Sequence, residues 1–344
     1  MKMAKQFHDR PNIPTGCNAS FIALIPKVLA KRIKLVIPDL VSNIQTGFIE
    51  GRSILDGPLI VNEVLAWAKS CKKKIFIFKV DFEKAYDSIN WKFILSNLKA
   101  MNFPLLWRKW IGAGLKSGRA SVLVNGSPSS EFGLSRGLRQ GDPLSPFLFI
   151  LALEALDVIM KRAIENGLFK GVKLPKDGPT ISHLCYADDA IFLGEWSEAN
   201  IKNLNRILRC FYLCSGLKVN VGKCNLFGVG VQDDEIEDMA KNLNCKAGKT
   251  PFNFLGIPIG ANMKRVKNWK PIVDKFNSKL SSWKARWLSM AGRIVLAKDV
   301  LGALPNYFFS IFLAPKKVLA ELEAIRRDFV WGKKNGRSEM RWVA

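Results

Sequence analysis

Two adjacent acids inside an otherwise apolar run constrain this chain most strongly. His183–Ala187 precedes Asp188 and Asp189, and Ala190–Leu193 follows them. Apolar runs on both sides of a short acidic turn predict a tight β-hairpin with the acids at its tip. Carboxylates held so close together repel each other and resist burial unless a cation neutralises them, and Mg²⁺ is the natural choice. A solvated Asp-Asp turn is the alternative that these residues leave open.

A third acid stands in a similar setting. Ile75–Val80 is a near-continuous apolar run that predicts a buried strand, and Asp81 follows it directly. A carboxylate at the end of a buried strand is unfavourable unless it has a ligand or a partner. If Asp81 and the Asp188/Asp189 pair lie on neighbouring strands, they can hold two metal ions between them. Two such ions would activate an attacking hydroxyl and stabilise the leaving oxygen of a phosphoryl transfer.

Composition limits the kinds of binding partner and the cellular compartments that we expect for this chain. The chain has 344 residues, 48% of them hydrophobic, which is enough for a sizeable core and two or three subdomains. A net charge of +24 favours nucleic acid as the partner, ahead of an anionic membrane surface. Seven cysteines without a Cys-x-x-Cys pair, and only two histidines, argue against a zinc site or a disulfide framework. We expect a soluble intracellular protein, nuclear or cytoplasmic, since the sequence contains no recognisable targeting signal and no apolar run of bilayer length.

Hydrophobic periodicity predicts an order of elements along the chain. The elements are a strand over Phe21–Ile25, a short basic helix from about Leu29 to Val36 that stops at Pro38, helices over Leu59–Lys69 and Trp91–Met101, a hairpin with strands at Ser121–Val124 and about Glu131–Leu134, a buried helix from Phe147 onward with Asp142 as N-cap and Pro143 in its first turn, and a helix over Ala199–Ser215. The order of strand, helix, hairpin and helix resembles a split βαβ arrangement. After about residue 260, a helical, tryptophan-rich region with an apolar stripe indicates a separate helical domain; the stripe comprises Val318, Leu322, Ile325 and Phe329.

Several short motifs follow one another in a fixed order. They are Gln45–Ile54, Val80–Asp87, Gly137–Pro146, Tyr186–Asp189, Gly216–Lys223 and Phe254–Gly256. Each motif is weak alone, but in this order they resemble the reverse transcriptases of LINE-type (non-LTR) retrotransposons, plant elements especially. The first resembles a fingers motif, the next four resemble palm motifs that include the nucleotide loop and the catalytic turn, and the last closes the palm. The resemblance covers nearly the whole chain.

The resemblance implies a catalytic and metal-binding set at the palm. Asp81, Asp188 and Asp189 would be catalytic and would ligate two Mg²⁺ ions, with the Phe82 carbonyl as a further ligand and Mn²⁺ as a possible substitute. The reaction implied is attack of a primer 3′-hydroxyl on the α-phosphate of a deoxynucleotide, directed by an RNA template. Neither a membrane nor a specific protein partner is expected.

The resemblance also implies a nucleotide-binding set. Tyr86 would be a steric gate against a ribose 2′-hydroxyl, although packing in the core is the other interpretation of this ring. Gln140 and Gly141 would lie against the base and sugar, Lys223 would neutralise or protonate the departing pyrophosphate, and Lys27 would retain part of the charge that faces the triphosphate.

The fold implied is an α+β right-hand polymerase. We expect shortened fingers over 1–74, a palm with a split βαβ antiparallel sheet over 75–260, and a partial helical thumb over 261–344 that grips the template–primer duplex. A portion of the fingers would be inserted at about 95–135 of the palm.

The chain departs from the family at one internal junction. Pro26-Lys27-Val28 runs directly into Leu29–Lys34, where the family has a longer segment with an arginine that clamps the triphosphate. We therefore expect a deletion in the fingers, truncation at both ends, and weakened polymerisation. The alternative is an impaired retroelement remnant that only binds nucleic acid. A viral RNA-templated RNA polymerase shares the palm, but Tyr86 and Ala187 argue against it.

Overall fold

The computed structural model describes residues 24–280, 287–303, 306–331, 333–334 and 337–338. The chain divides into two compact units, Met1–Lys249 and Thr250–Ala344. Residues 250–260, which the domain prediction places with the palm, belong to the second unit.

The first unit mixes helices and short strands. Its helices are α1 (Leu24–Leu40), α2 (Asp56–Ser70), α3 (Ala85–Ser88), α4 (Trp91–Ala100), α5 (Leu105–Lys116), α6 (Ser145–Glu165), α7 (Glu198–Ser215) and α8 (Asp233–Asn242). Its strands are β1 (Ile75–Val80), β2 (Arg119–Ala120), β3 (Leu123–Val124), β4 (Ser127–Pro128), β5 (Phe132–Gly133), β6 (Val172–Lys173), β7 (Thr180–Ile181), β8 (His183–Tyr186), β9 (Asp189–Glu195), β10 (Asn225–Val229) and β11 (Lys246–Ala247).

A five-stranded sheet of order β11-β10-β1-β9-β8 organises this unit. The central strand β1 pairs antiparallel with both β9 and β10, while β11 runs parallel to β10. Alternate residues of β1 point to opposite faces of the sheet. Phe76 and Phe78 belong to the core that α6 and α7 help to form, and Ile75 and Ile77 are buried as well. The expected split βαβ sheet is therefore confirmed.

Helix α1 corrects two predictions. It begins inside the expected strand Phe21–Ile25, of which Phe21–Ala23 lie outside the described residues, and it continues through Pro38 to Leu40. Pro26 is tolerated because the first turn of a helix has no intrahelical partner for its N–H groups. Burial of a stripe with a spacing of four residues holds the helix in place; the stripe comprises Leu29, Ile33 and Ile37.

The start of α6 corrects a third prediction. Asp142 was expected to cap this helix, with Pro143 in its first turn, but the N-cap residue is Leu144. The Asp142 side chain instead accepts a hydrogen bond from the Leu144 N–H at 2.8 Å. Because Asp142 forms a turn of its own, the helix begins only at Ser145. The helix itself is buried on most sides, as its composition predicted.

The predicted hairpin turn at Asn125-Gly126 is confirmed, but the strand that returns across it is Ser127–Pro128, and the predicted returning strand at about Glu131–Leu134 instead contributes β5, which pairs with β2. Strand β3 pairs with β4 across Asn125-Gly126, and the outer strands β2 and β5 pair as well. Both turn residues have positive φ, +49° and +83°, as a two-residue type I′ turn requires. The sequence pattern missed α5, which lies just before this hairpin.

The second unit is mainly helical. It contains β12 (Phe252–Phe254), β13 (Ile257–Ile259), a 3₁₀ turn (Val266–Trp269), α9 (Lys270–Lys279), α10 (Met290–Ala303), α11 (Asn306–Phe309), α12 (Lys316–Trp331), β14 (Lys333–Lys334) and β15 (Arg337–Ser338). Its core surrounds Trp269, which is fully buried and donates to the Met263 carbonyl at 2.7 Å. The predicted apolar stripe of α12 packs into this core. Nowhere in the described ranges does a helix have both the length and the apolar character needed to cross a membrane.

A buried histidine, His183, is the first residue of the edge strand β8. The imidazole of His183 stacks on Phe192, its Nδ1 lies 2.9 Å from the Ser182 hydroxyl, and its Nε2 lies 3.6 Å from Asp157. Lys161 pairs with the same carboxylate at 2.6 Å. Burial lowers the pKa of His183 to about 4, and the attraction of Asp157 offsets this only in part. The imidazole is therefore neutral at neutral pH.

Because the folded pKa of His183 lies below its ordinary value of 6.5, the unfolded chain binds one more proton than the folded chain between about pH 4 and 6.5. We expect the free energy of unfolding to fall with decreasing pH in this window, by up to about 1.4 kcal/mol per pH unit from this group. His183→Gln should flatten that dependence. Urea unfolding of both proteins from pH 7 to 4.5 measures it, and identical slopes would contradict the assignment.

Candidate active site

The three predicted acids meet at one end of the neighbouring strands β1 and β9. In the β1–β9 ladder the last pair is Val80 with Ala190, so Asp81 and Asp189 occupy the next position on each strand. Residues directly opposite on antiparallel strands have Cα atoms about 4.5–5.5 Å apart. Tyr186 pairs with Asp189, which leaves Ala187 and Asp188 as a two-residue turn. The predicted acidic hairpin is therefore confirmed.

The carboxylates interact electrostatically. The pKa of Asp189 is raised, first because the group is half-buried and then because the Asp188 and Asp81 carboxylates repel its charge. Lys79 opposes this shift. Asp188 itself is exposed. The site therefore concentrates negative charge that its nearest lysines neutralise only in part.

Lys223 reaches this cluster from a neighbouring segment. Its Nζ lies 3.6 Å from Asp81 Oδ2, and its side chain is 71% exposed. The segment is held beside β1, since the Asn220 N–H donates to the Asp81 carbonyl at 2.8 Å and Phe82 forms an antiparallel bridge with Val219. The fold therefore brings Lys223 to the carboxylates, and its role toward the pyrophosphate stays a prediction.

The donor set fits a hard divalent cation. The available groups are carboxylate and carbonyl oxygens, and a bound cation would relieve the repulsion that raises the pKa of Asp189. In the part of the chain that the structure describes, no three His, Cys, Asp or Glu side chains close into a ready-made metal cage. Mg²⁺ does not need one, because it is usually bound by one or two carboxylates together with water and substrate phosphates.

Tyr86 is both packed and close to the acids. Its ring stacks on Phe149 with the ring centroids 4.9 Å apart and an angle of 13° between the planes. Burial raises the pKa of the Tyr86 hydroxyl, and the Asp188 carboxylate raises it further. The two interpretations of this ring are therefore compatible.

The loop before α6 is anchored to the segment that carries Tyr86. The Leu138 N–H donates to the Tyr86 carbonyl at 2.6 Å, and the Trp91 indole donates to the Gly137 carbonyl at 2.6 Å. Gly137 has a φ of +87°, and a Cβ there would lie 2.7 Å from the Asp87 carbonyl oxygen. This anchoring leaves the next part of the loop, Gln140 and Gly141, exposed.

A cavity of about 570 Å³ adjoins this loop. Gln140 and Arg139 line it, and Pro26 lines it as well. Lys27 is the next residue in the first turn of α1 and is exposed. Its nucleotide-binding role stays a prediction.

Three residues contact the acidic turn or hold the side chain that does, namely Gln45, Gly47 and Arg52. The sequence interpretation gave none of them a role. Gln45 forms a parallel bridge with Cys185, on the edge strand of the sheet. The motif that contains these residues was recognisable in the sequence and was assigned to the fingers. No local pattern shows that it pairs with a strand about 140 positions away.

Residues 14–259 match the family described as reverse transcriptase (RNA-dependent DNA polymerase). The chain belongs to this family. It is 22% identical to the transposon TX1 149 kDa protein of Xenopus laevis over 92% of this chain, and 28% identical to a Pol polyprotein from the type-2 retrotransposable element R2DM of Drosophila melanogaster over 74%. It spans 24% and 23% of the lengths of those two relatives.

Two further likenesses are weaker or shorter. A mitochondrial protein of Arabidopsis thaliana is 49% identical over 67 residues, which is 20% of this chain and 55% of that protein. A telomerase structure from Candida tropicalis matches with a TM-score of 0.46 at 13% identity, covering 89% of this chain and 50% of that one. We base the family assignment on the sequence match over residues 14–259. The expected reverse transcriptase domain is thereby confirmed. The likeness to the TX1 and R2DM elements supports the non-LTR type, and the mixed helices and strands agree with the expected α+β fold.

Because the pKa of Asp189 is raised in the folded chain, its charge opposes folding above the ordinary value of 3.8. Without divalent metal, Asp189→Asn should therefore raise Tm at pH 7 by about 1–3 °C. The difference should shrink as the pH is lowered toward 4. Calorimetry in EDTA measures both values. Glu63→Gln, an exposed change on α2, is the control, and a lower Tm for Asp189→Asn at pH 7 would contradict the expectation.

Proposed function

We propose that this chain carries out RNA-directed DNA synthesis as the polymerase domain of a non-LTR retrotransposon, adding deoxynucleotides to a primer 3′-hydroxyl. The observation that carries the proposal is the convergence of Asp81, Asp188 and Asp189 at one sheet edge with Lys223 beside them. These groups are the oxygen donors and the cation that a nucleotidyl transfer needs.

The carboxylates are proposed to work with two divalent ions. When bound by Asp81, Asp188, Asp189 and the Phe82 carbonyl, Mg²⁺ would supply charge stabilisation and a more acidic primer hydroxyl, and Mn²⁺ would substitute for it. The carboxylates orient the donor oxygens. Lys223 gives a proton to the departing pyrophosphate, a role that its distance of 3.6 Å from Asp81 supports.

Other side chains are proposed to select and hold the nucleotide. Tyr86 acts as the steric gate, and its stacking on Phe149 keeps the ring from turning aside when a ribose enters. Gln140 and Gly141 present an exposed loop to the base and sugar. Lys27 adds positive charge toward the triphosphate.

The net charge of +24 supports an RNA template and a DNA primer as partners. An A-form-like hybrid is gripped through its backbone, because side chains cannot read its deep major groove. We propose the division into fingers (1–74), palm (75–260, with a fingers portion at about 95–135) and thumb (261–344), acting in the nucleus or cytoplasm.

A plant origin and a shortened fingers region are further proposals. The Arabidopsis likeness supports the first. For the second, α1 runs without interruption through the Lys27–Leu29 junction, so the join leaves a regular helix and not a broken backbone. Without the arginine that the family carries there, the triphosphate loses a bidentate clamp that a lysine replaces poorly. This favours weak activity, and it keeps a remnant that only binds nucleic acid as the second candidate.

We expect the chain to incorporate dNTPs on poly(rA)–oligo(dT) in Mg²⁺, and Asp188→Asn to lower the rate by at least about 10³-fold because a metal ligand is lost. Single-turnover incorporation measures this. Glu63→Gln serves as the control and should keep the wild-type rate. Equal rates for wild type and Asp188→Asn would refute the proposal. Salt-sensitive hybrid binding without metal-dependent turnover would favour the remnant.

Tyr86→Ala should raise the use of rNTPs relative to dNTPs by about 10–100-fold, because it removes the ring that the 2′-hydroxyl would meet. Tyr86→Phe keeps the ring and should keep the preference for dNTPs. Competitive incorporation of a matched rNTP and dNTP measures the ratio. An unchanged ratio in Tyr86→Ala would mean that this ring only packs in the core and does not select the sugar.

A further inference from the structure

The turn that carries Asp188 has a backbone that is unfavourable for its sequence. Ala187 has a φ of +52°, in the left-handed region that residues with a Cβ rarely adopt. Two-residue hairpin turns need positive φ at their first loop position and for that reason favour Gly, Asn or Asp there. Alanine has no side-chain polar group that could stabilise this conformation, so the stabilisation has to come from outside the turn.

The side chain of Gln45 supplies it from 142 positions away. Its Oε1 accepts from the Ala187 N–H at 2.9 Å and its Nε2 donates to the Ala187 carbonyl at 3.4 Å. The same Oε1 also accepts from the Gly47 N–H at 2.8 Å. Gln45 is only 4% exposed, so these bonds lie in an environment where water cannot replace them. The amide therefore binds both polar groups of the residue that precedes Asp188.

Gln45 is itself held in place from both sides. The backbone around it pairs with β8, since the Thr46 N–H donates to the Cys185 carbonyl at 2.9 Å and the Cys185 N–H donates to the Ile44 carbonyl at 3.0 Å. On the other side, Arg52 Nη1 donates to the Gln45 carbonyl at 2.6 Å. A side chain fixed by such supporting contacts can position what it binds.

Gly47 lets this segment approach the turn. A Cβ at Gly47 would lie 2.5 Å from the Ala187 nitrogen, closer than real Cβ contacts come. A glycine here is thus required by contact with the turn. Gln45, Gly47 and Arg52 all belong to the motif Gln45–Ile54, so one short motif both reaches the turn and secures the residue that binds it.

We infer that Gln45 is a positioning residue for Asp188: its amide holds Ala187 in the left-handed conformation that places the next carboxylate beside Asp81. The inference rests on the proposed function, because it gives the motif a part in two-metal nucleotidyl transfer. It assigns to the palm turn a motif that the family resemblance assigns to the fingers.

The test uses the full chain with Gln45→Met, which keeps the length of the side chain and removes its hydrogen bonds. Asn200→Leu is the matched control, because the buried Asn200 amide binds the N–H and carbonyl of Lys170 at 2.9 and 2.8 Å, away from the turn. Hydrogen exchange of peptides that span the turn should accelerate about tenfold or more in Gln45→Met and stay unchanged in Asn200→Leu. Mn²⁺ binding, followed by electron paramagnetic resonance, should weaken about 10-fold in Gln45→Met alone.

A second-site change separates positioning from general destabilisation. Ala187→Gly removes the penalty for positive φ, so Gln45→Met combined with Ala187→Gly should recover Mn²⁺ binding to within about threefold of wild type. In incorporation assays Gln45→Met should lower kcat by about 10²-fold and leave KM for the dNTP unchanged. A structural role alone predicts no recovery in the double variant.

The outcomes are distinguishable. If the wild type incorporates no dNTP, the proposed function fails, while hydrogen exchange and Mn²⁺ binding still test Gln45. If Gln45→Met matches Asn200→Leu in both, the inference is overturned. If Gln45→Met does not fold, Gln45→Glu keeps the acceptor for the Ala187 N–H. That variant loses the donor to the Ala187 carbonyl, so exchange of the turn should still accelerate about tenfold or more, and exchange at the wild-type rate would also overturn the inference.

Discussion

The repulsion among the carboxylates at one sheet edge is the constraint on which the rest of this structure depends. The pKa of Asp189 is raised, first because the group is half-buried and then because the Asp188 and Asp81 carboxylates repel its charge. A fold that brings three carboxylates together loses stability. We expect it to keep them only if they provide a function that uncharged side chains cannot provide. A site for divalent cations explains that gain, and Lys223 and Lys79 relieve only part of the charge.

The surrounding strands and helices keep the strands that carry these acids in register. Strand β1 is central and buried on both faces, so a one-residue slip of its pairing with β9 would exchange the Phe76/Phe78 face with the Ile75/Ile77 face and disrupt the packing on both. Helices α6 and α7 cover one face, and the segment of Gly216–Lys223 runs beside the residues that follow β1. The turn itself is the weak point of this register, because Ala187 has a positive φ that its side chain does not favour. The buried amide of Gln45 stabilises this conformation of Ala187 from outside the hairpin.

Local patterns predicted the elements with the strongest periodicity and failed where tertiary contacts decided. The acidic hairpin, the buried strand before Asp81, the hairpin at Asn125-Gly126 and the apolar stripe of α12 all follow from alternation or helical spacing. Prolines misled the prediction at α1, since Pro26 lies in a first turn and the helix passes through Pro38. The Asp142 turn delayed the start of α6, because its side chain bonds to a backbone N–H before the helix begins.

The sequence alone determined which acids the proposed chemistry would use. Asp81 and the Asp188/Asp189 pair stand out because they interrupt apolar runs, and a carboxylate among apolar neighbours in the sequence predicts a ligand or an ionic partner. Only the tertiary structure decided how those acids are held. The contact of Gln45 with Ala187 spans 142 positions and depends on strand pairing and on the close approach that Gly47 permits. Local sequence propensities cannot predict such a contact, because the groups that form it meet only when the sheet is complete.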